Sequence, residues 1–154
     1  MPVEITRRVE FDAGHRIPNH ASKCRNIHGH RYRLEATVSG AVLEARGESD
    51  DGMIVDFGLL KQVMSECVAD RWDHAFLCWE GDHSMCWVLE HARDELGDHR
   101  TVIMPDVPTA ENLAQAAFRL IDGGLQTAGA PFELVRVRLY ETPNCWADAT
   151  RGET

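Results

Sequence analysis

Residues 3–15 read VEITRRVEFDAGH. Val3, Ile5, Val9, Phe11 and Ala13 share one parity, while Glu4, Thr6, Arg8, Glu10 and Asp12 take the other. A period of two marks a β-strand with one face turned to a core. His15 continues the buried parity just past the expected end of the strand, so an imidazole stands where the apolar face runs out. A second strand is expected from near His30. Tyr32, Leu34, Ala36, Val38 and Val42 lie on one side of it, and Arg31, Arg33, Glu35, Thr37 and Ser39 on the other. His28 and His30 share the parity of Tyr32, so strand geometry extended back through Gly29 turns both imidazoles to the core side. Glycine there leaves room for the backbone to bend.

Beyond Val42, ARGESDDG reads as a turn-rich connection and GMIVDF as a short strand. Asp56 is placed to cap a helix whose stripe is Leu59, Leu60, Val63, Met64, Cys67 and Val68. RWDHAFL leaves that helix, residues 84–96 predict a second one, and TVIM predicts a small strand. Thr109 is an expected N-cap with Glu111 in the first turn, where the helix dipole favours an acid. Leu113, Ala117, Leu120 and Ile121 form the apolar stripe of that helix, and Gly123-Gly124 is expected to weaken or end it. The final strand, ELVRVRLYE, carries Val135, Val137 and Leu139 on one parity, and Glu141 falls on it too. A carboxylate at the end of an apolar face needs a partner or a ligand. These elements predict an α+β fold, an antiparallel sheet with helices on one face. No repeat or linker divides the chain, so one domain over 1–154 is expected.

Composition narrows the function. The net charge of −9 and the absence of a basic block argue against nucleic acid, while a local basic pocket for a small anion stays open. No apolar run approaches the ~20 residues of a membrane span, and MPVEITRRVEFD lacks the apolar stretch of a signal peptide, so a cytoplasmic protein is expected. The five cysteines are odd in number and include no C-x-x-C pair, which argues for reduced thiols rather than a disulfide framework.

Of the eight histidines, His20, His83, His91 and His99 read as surface or hydrogen-bonded residues. His15, His28 and His30 differ, because each lies where an apolar strand face meets a loop, on strands expected to pair. Three imidazoles so placed suit a zinc ion with a fourth position open to water or substrate. Cys24, four residues before His28, lies in the polar stretch KCRN rather than on an apolar stripe. It is placed to act as base or nucleophile, or as a fourth ligand that closes the metal sphere. Asp73-His74 read alone is an ordinary loop pair, and Glu141 read alone is a salt-bridging acid.

The ordered set FDAGH, C-x-x-x-HGH (Cys24 to His30), GMIVDF, DHAFL, PTAENLA and LYET resembles the 6-pyruvoyltetrahydropterin synthase family, from about residue 4 to residue 147. Three residues between the cysteine and HGH resemble its carboxytetrahydropterin-forming branch, since the pyruvoyl-forming enzymes typically have a longer gap. The resemblance implies a tunnelling fold (T-fold) with a four-stranded antiparallel sheet, closed into an oligomeric barrel, commonly a hexamer of two trimers. It implies His15, His28 and His30 as Zn2+ ligands and Cys24 as catalytic base, with His74 and Asp73 as its relay. Glu141 would anchor a pterin, with Thr109 and Glu111 as further contacts. The implied activity is a lyase that converts 7,8-dihydroneopterin triphosphate to 6-carboxy-5,6,7,8-tetrahydropterin, acetaldehyde and triphosphate, in queuosine and other 7-deazapurine biosynthesis. The alternatives are triphosphate elimination to pyruvoyltetrahydropterin, or a non-catalytic pterin-binding zinc protein. Arg16, Lys23, Arg25 and Arg31 are the cations nearest in sequence for a triphosphate. The stretch from Cys78 to Asp106 is longer than in compact members of the family.

Overall fold

The computed structural model describes residues 1–152. β1 (Val3–His15) and β2 (His28–Gly40) pair antiparallel along their whole length, from Val3↔Gly40 to His15↔His28. This register follows from the two alternating patterns. Phe11 faces Tyr32 across the pair, their rings stacked 5.3 Å apart, and a slip of one residue would turn either apolar set to solvent.

The sheet departs from the expected four antiparallel strands. It is mixed and six-stranded, in the order β4-β3-β1-β2-β5-β6. β5 (Glu133–Thr142) joins β2 antiparallel, and β6 (Cys145–Thr150) folds back on β5 through the two-residue turn Pro143-Asn144. β3 (Ala75–Trp79) runs parallel to the end of β1, and β4 (Thr101–Met104) runs parallel to β3. Helix α3 (His83–Leu96) makes that last connection, and a crossover of this kind returns the chain in the parallel direction. β6 escapes a pattern reading because the side chains it sends toward the core are only Ala147 and Ala149.

Two other expectations fail locally. GMIVDF forms no strand, because its backbone bonds within the preceding loop, with Leu43 N–H donating to Met53 O at 2.8 Å. Ile54 and Val55 are buried all the same, and Val42 lies beyond β2, exposed. In β5 a bulge falls between the pairs Leu134↔Val38 and Arg136↔Thr37. It shifts the parity, so that Leu134, Val137 and Leu139 are in the core and Val135 is half-buried.

α1 (Phe57–Met64), capped by the Asp56 carboxylate, continues through a π-helical turn (Ser65–Ala69) into the short α2 (Asp70–Trp72). α4 (Ala110–Thr127) is capped by Thr109 Oγ1, which accepts from Asn112 N–H. Leu60, Met64, Leu113, Ala117, Ile121 and Leu125 from these helices meet Phe11, Tyr32, Leu34, Val38, Val137 and Leu139 in one core. Gly123-Gly124 do not end α4. A Cβ on Gly124 would lie 2.6 Å from Cys67 Sγ and 2.9 Å from Val63 Cγ1, so that glycine lets two helices approach closely. No helix among the described residues is long and apolar enough to cross a membrane.

Candidate metal centre and adjoining cavity

The antiparallel register sets His15 opposite His28, and alternation puts His30 on the same face. The nearest ligand atoms of the three imidazoles all lie within 4.8 Å of one another. The glycine of HGH serves close approach rather than bending. A Cβ on Gly29 would lie 2.9 Å from the Ala13 carbonyl oxygen, which has no freedom to move aside.

Backbone carbonyls orient the first two rings. His15 Nδ1 donates to Pro108 O and His28 Nδ1 to Asn26 O, each at 2.7 Å. A carbonyl only accepts, so in the neutral rings both Nε2 atoms carry lone pairs, and they face each other 3.1 Å apart. Two lone pairs at that distance repel unless a cation sits between them. Two imidazole nitrogens on a tetrahedral zinc stand about 3.3 Å apart. His30 Nε2 is buried without any hydrogen-bond partner. Burial holds the His15 and His30 imidazoles below the ordinary histidine range, in the unprotonated form that binds metal. The donor set therefore fits a metal ion bound by three nitrogens, each of the first two held by a second contact at its far side. Tyr32 lies under the cluster, its ring edge-on to His15 and His30 at 6.0 and 5.6 Å, and burial pushes its phenol up.

Glu141 is the extra residue of a second bulge in β5, between the pairs Tyr140↔Trp146 and Thr142↔Cys145. Its carboxylate faces the histidines, with Oε1 3.6 Å from His30 Nε2 and Oε2 4.0 Å from His15 Nε2. On its other side Glu141 lines a cavity of about 330 Å³ with Cys24, Thr109, Glu111, Cys145 and Trp146. Cys24 sits half-buried on a single 3-10 turn, Lys23–Arg25. Four of the expected site residues thus share one cavity at the edge of the metal centre.

Asp73 and His74 lie elsewhere in the chain. His74 takes a left-handed backbone, φ 56°, which folds its ring back so that Nδ1 donates to Asp73 Oδ2 at 2.8 Å. Adjacent residues rarely orient one another, and this turn is the reason these two do. Asp73 Oδ1 accepts from Asp12 N–H at 2.9 Å, which with His74 holds the Asp73 carboxyl below the usual range. Arg100 Nη1 bonds the carbonyls of Asp70 and Asp73, bracing the turn. His74 lines a second cavity, of about 630 Å³, with Asp12, His30, Arg31, Phe76 and Arg100. A single chain does not bring Cys24 and His74 into one cavity.

Of the four cations near the site in sequence, two are engaged. Arg16 grips Asp82 with two bonds of 2.6 Å, and Arg31 pairs with Asp12 and Glu10. Lys23 and Arg25, flanking Cys24, make no ion pair among the described residues. Sequence reasoning missed Pro108, Asn26, Arg100 and Trp146. The first two act through backbone carbonyls that no side-chain pattern reports. Arg100 lies in an irregular segment, and only the β5–β6 hairpin brings Trp146 to the cavity.

The chain is similar in sequence and in fold to known proteins. A Rickettsia felis protein named 6-carboxy-5,6,7,8-tetrahydropterin synthase is 37% identical over 147 residues, covering 95% of this chain and 99% of its own. In fold, an uncharacterized protein from Wolinella succinogenes superposes with a TM-score of 0.79 at 20% identity, with 99% of each chain covered. Caenorhabditis elegans 6-pyruvoyl tetrahydropterin synthase does so with a TM-score of 0.67 at 23% identity, covering 99% of this chain and 97% of its own. The family model described as 6-pyruvoyl tetrahydropterin synthase matches residues 4–152, and the chain belongs to that family.

Proposed function

We propose that this chain is a zinc-dependent lyase that converts 7,8-dihydroneopterin triphosphate and water to 6-carboxy-5,6,7,8-tetrahydropterin, acetaldehyde and triphosphate, a step toward queuosine and other 7-deazapurines. The observation that carries it is the shared wall: Glu141 faces His15 and His30 on one side and lines the Cys24 cavity on the other. A pterin held there has its side chain beside the metal position. The carboxylate of Glu141 accepts paired hydrogen bonds from the pterin amino group and ring N–H, which fixes the ring in plane. Thr109 and Glu111, at the start of α4, lie on the same cavity. Bound zinc supplies Lewis acidity toward the side-chain oxygens. Cys24 takes a proton from the substrate side chain, and His74, held by Asp73, returns one. Lys23 and Arg25 face the triphosphate.

Because Cys24 and His74 line different cavities, their joint action requires two copies of the chain, and we place the site between subunits of a hexamer built from two trimers. No nucleic acid or membrane partner enters this reading, and five free thiols suit the cytoplasm. The relatives above 30% identity are named for the carboxy product, which favours it over the pyruvoyl alternative. Mass spectrometry of the products from zinc-loaded protein and dihydroneopterin triphosphate tests the reading. Carboxytetrahydropterin with acetaldehyde is expected. Pyruvoyltetrahydropterin would reassign the product, and unchanged substrate over a folded, zinc-bound protein would leave a binding protein.

A further inference from the structure

Outside the cavity that Cys24 lines, two other thiols meet. Cys78 is the penultimate residue of β3 and Cys86 lies in the first turns of α3, with their sulfurs 3.8 Å apart. Both point at one acceptor, the Trp79 carbonyl oxygen, at 3.6 Å each. The turn between them is held at several points. Asp82 N–H donates to that same carbonyl, and Glu80 N–H donates to Met104 O. The Trp79 indole donates to Pro105 O and lies so flat on Gly81 that a Cβ there would fall 2.2 Å from the ring. Asp82 caps α3 through Met85 N–H and grips Arg16, the residue after His15. The two arms of the turn are thus fixed before any bond forms between them, which removes most of the entropic cost of closing the loop.

We propose that Cys78 and Cys86 are an oxidisable thiol pair, closed to an intramolecular disulfide by a peroxide. Cys86 reacts first, being half-exposed on a cavity of about 390 Å³ beside Leu89, Arg93 and Ile103. Its sulfur takes one peroxide oxygen as the O–O bond breaks, giving a sulfenic acid and water. The Cys78 sulfur then attacks that sulfur and the S–O bond breaks, the hydroxide leaving as water with the Cys78 proton. Two thiols lose two electrons and the peroxide is reduced to two waters. Cys78 is buried, and burial also pushes its thiol up, so the half-exposed Cys86 meets the peroxide first. The sulfurs need to close from 3.8 Å to about 2.05 Å, within reach of side-chain rotation.

The bond would tie down a lightly held element. Met85 is the one buried residue of α3, and Trp87, Val88 and Leu96 are exposed. The disulfide joins the start of α3 to β3, the strand paired with His15. This inference stands apart from the pterin reading, and its test needs no turnover. Reduced full-length protein is treated with a small excess of hydrogen peroxide, alkylated with N-ethylmaleimide and mapped by peptide mass spectrometry. The expected product is a Cys78–Cys86 cross-linked peptide two hydrogens lighter, released by dithiothreitol and absent in Cys86→Ser. Amide exchange in the first turns of α3 should slow about tenfold in the oxidised protein. Cys78→Ser is the reciprocal control, and since Cys78 is buried, Cys86→Ser carries the test if that variant does not fold. Cys86 found as sulfinic acid or unmodified while Cys78 remains a free thiol would overturn the proposal.

Discussion

At the scale of single residues, the proposed metal centre rests on the facing lone pairs of His15 and His28, set by two carbonyl contacts of 2.7 Å. His28→Ala removes one of the three nitrogens, so bound zinc should fall to background by elemental analysis after dialysis. Cys24 stands outside the group of three ligand nitrogens, so Cys24→Ala should retain zinc and lose turnover by about 10²- to 10⁴-fold. Full zinc in the first variant would remove His28 from the ligand set, and normal turnover in the second would remove Cys24 from the chemistry. Asp82 offers a pH test away from the chemistry. The Arg16 guanidinium holds its carboxyl below the usual carboxylate range, so the folded state binds this proton less readily than the unfolded one. The pair's contribution is then complete above the unfolded carboxylate value and is lost as pH falls through the lower folded one. Asp82→Asn should cost about 2 kcal/mol at pH 7 in urea unfolding. The gap from the parent should narrow only below about pH 4; a gap constant down to pH 2 would refute the ion pair's part in stability.

The elements carry the site by how they meet. α4 supplies Thr109 as its cap, and just before it Pro108, whose carbonyl orients His15, so the PTAEN run acts through backbone as well as side chains. The same helix shows two glycines with opposite uses. Nothing lies within 4 Å of a Cβ on Gly123, whereas one on Gly124 meets Cys67 and Val63. Gly123→Ala should therefore stabilise the chain by about 0.5–1 kcal/mol through helix propensity. Gly124→Ala should destabilise it by about 1–3 kcal/mol through overpacking. Thermal unfolding of the two variants side by side reads the difference, and equal shifts would show that the helix contact yields freely. The bulges in β5 act at this scale too. One brings Leu134 inward, and the other turns Glu141 toward the histidines.

For the whole molecule, the separation of two cavities in one chain is the feature with most consequence. Cys24 lines one and His74 the other. If they act together across subunits, Cys24→Ala and His74→Ala proteins, each inactive, should regain activity when unfolded together and reassembled. A statistical mixture restores about a quarter of the sites when one residue comes from each of two chains. No recovery, from a mixture shown by native mass spectrometry to be mixed, would place both residues in one chain's site. The assembly itself should weigh about 104 kDa by light scattering, six chains of 17.3 kDa.

Alternation alone determined β1, β2 and most of β5, because each buries one face and a period of two can serve only one sheet. It put His15, His28 and His30 on that face, and it made Glu141 conspicuous as an acid among apolar neighbours. The caps Asp56 and Thr109 were legible for the same local reason, a side-chain oxygen placed beside free helix N–H groups. Strand count and direction were not legible. β3, β4 and β6 are short, and their pairing depends on partners far away in the chain. Nor could spacing separate a cluster fit to hold a metal ion from a polar turn around Gly29. That was decided by the Pro108 and Asn26 carbonyls, which fix both tautomers, and by the β1 backbone, which leaves no room for a Cβ between the two histidines. Backbone groups carry no signature in a sequence, so their work is visible only once the chain is folded.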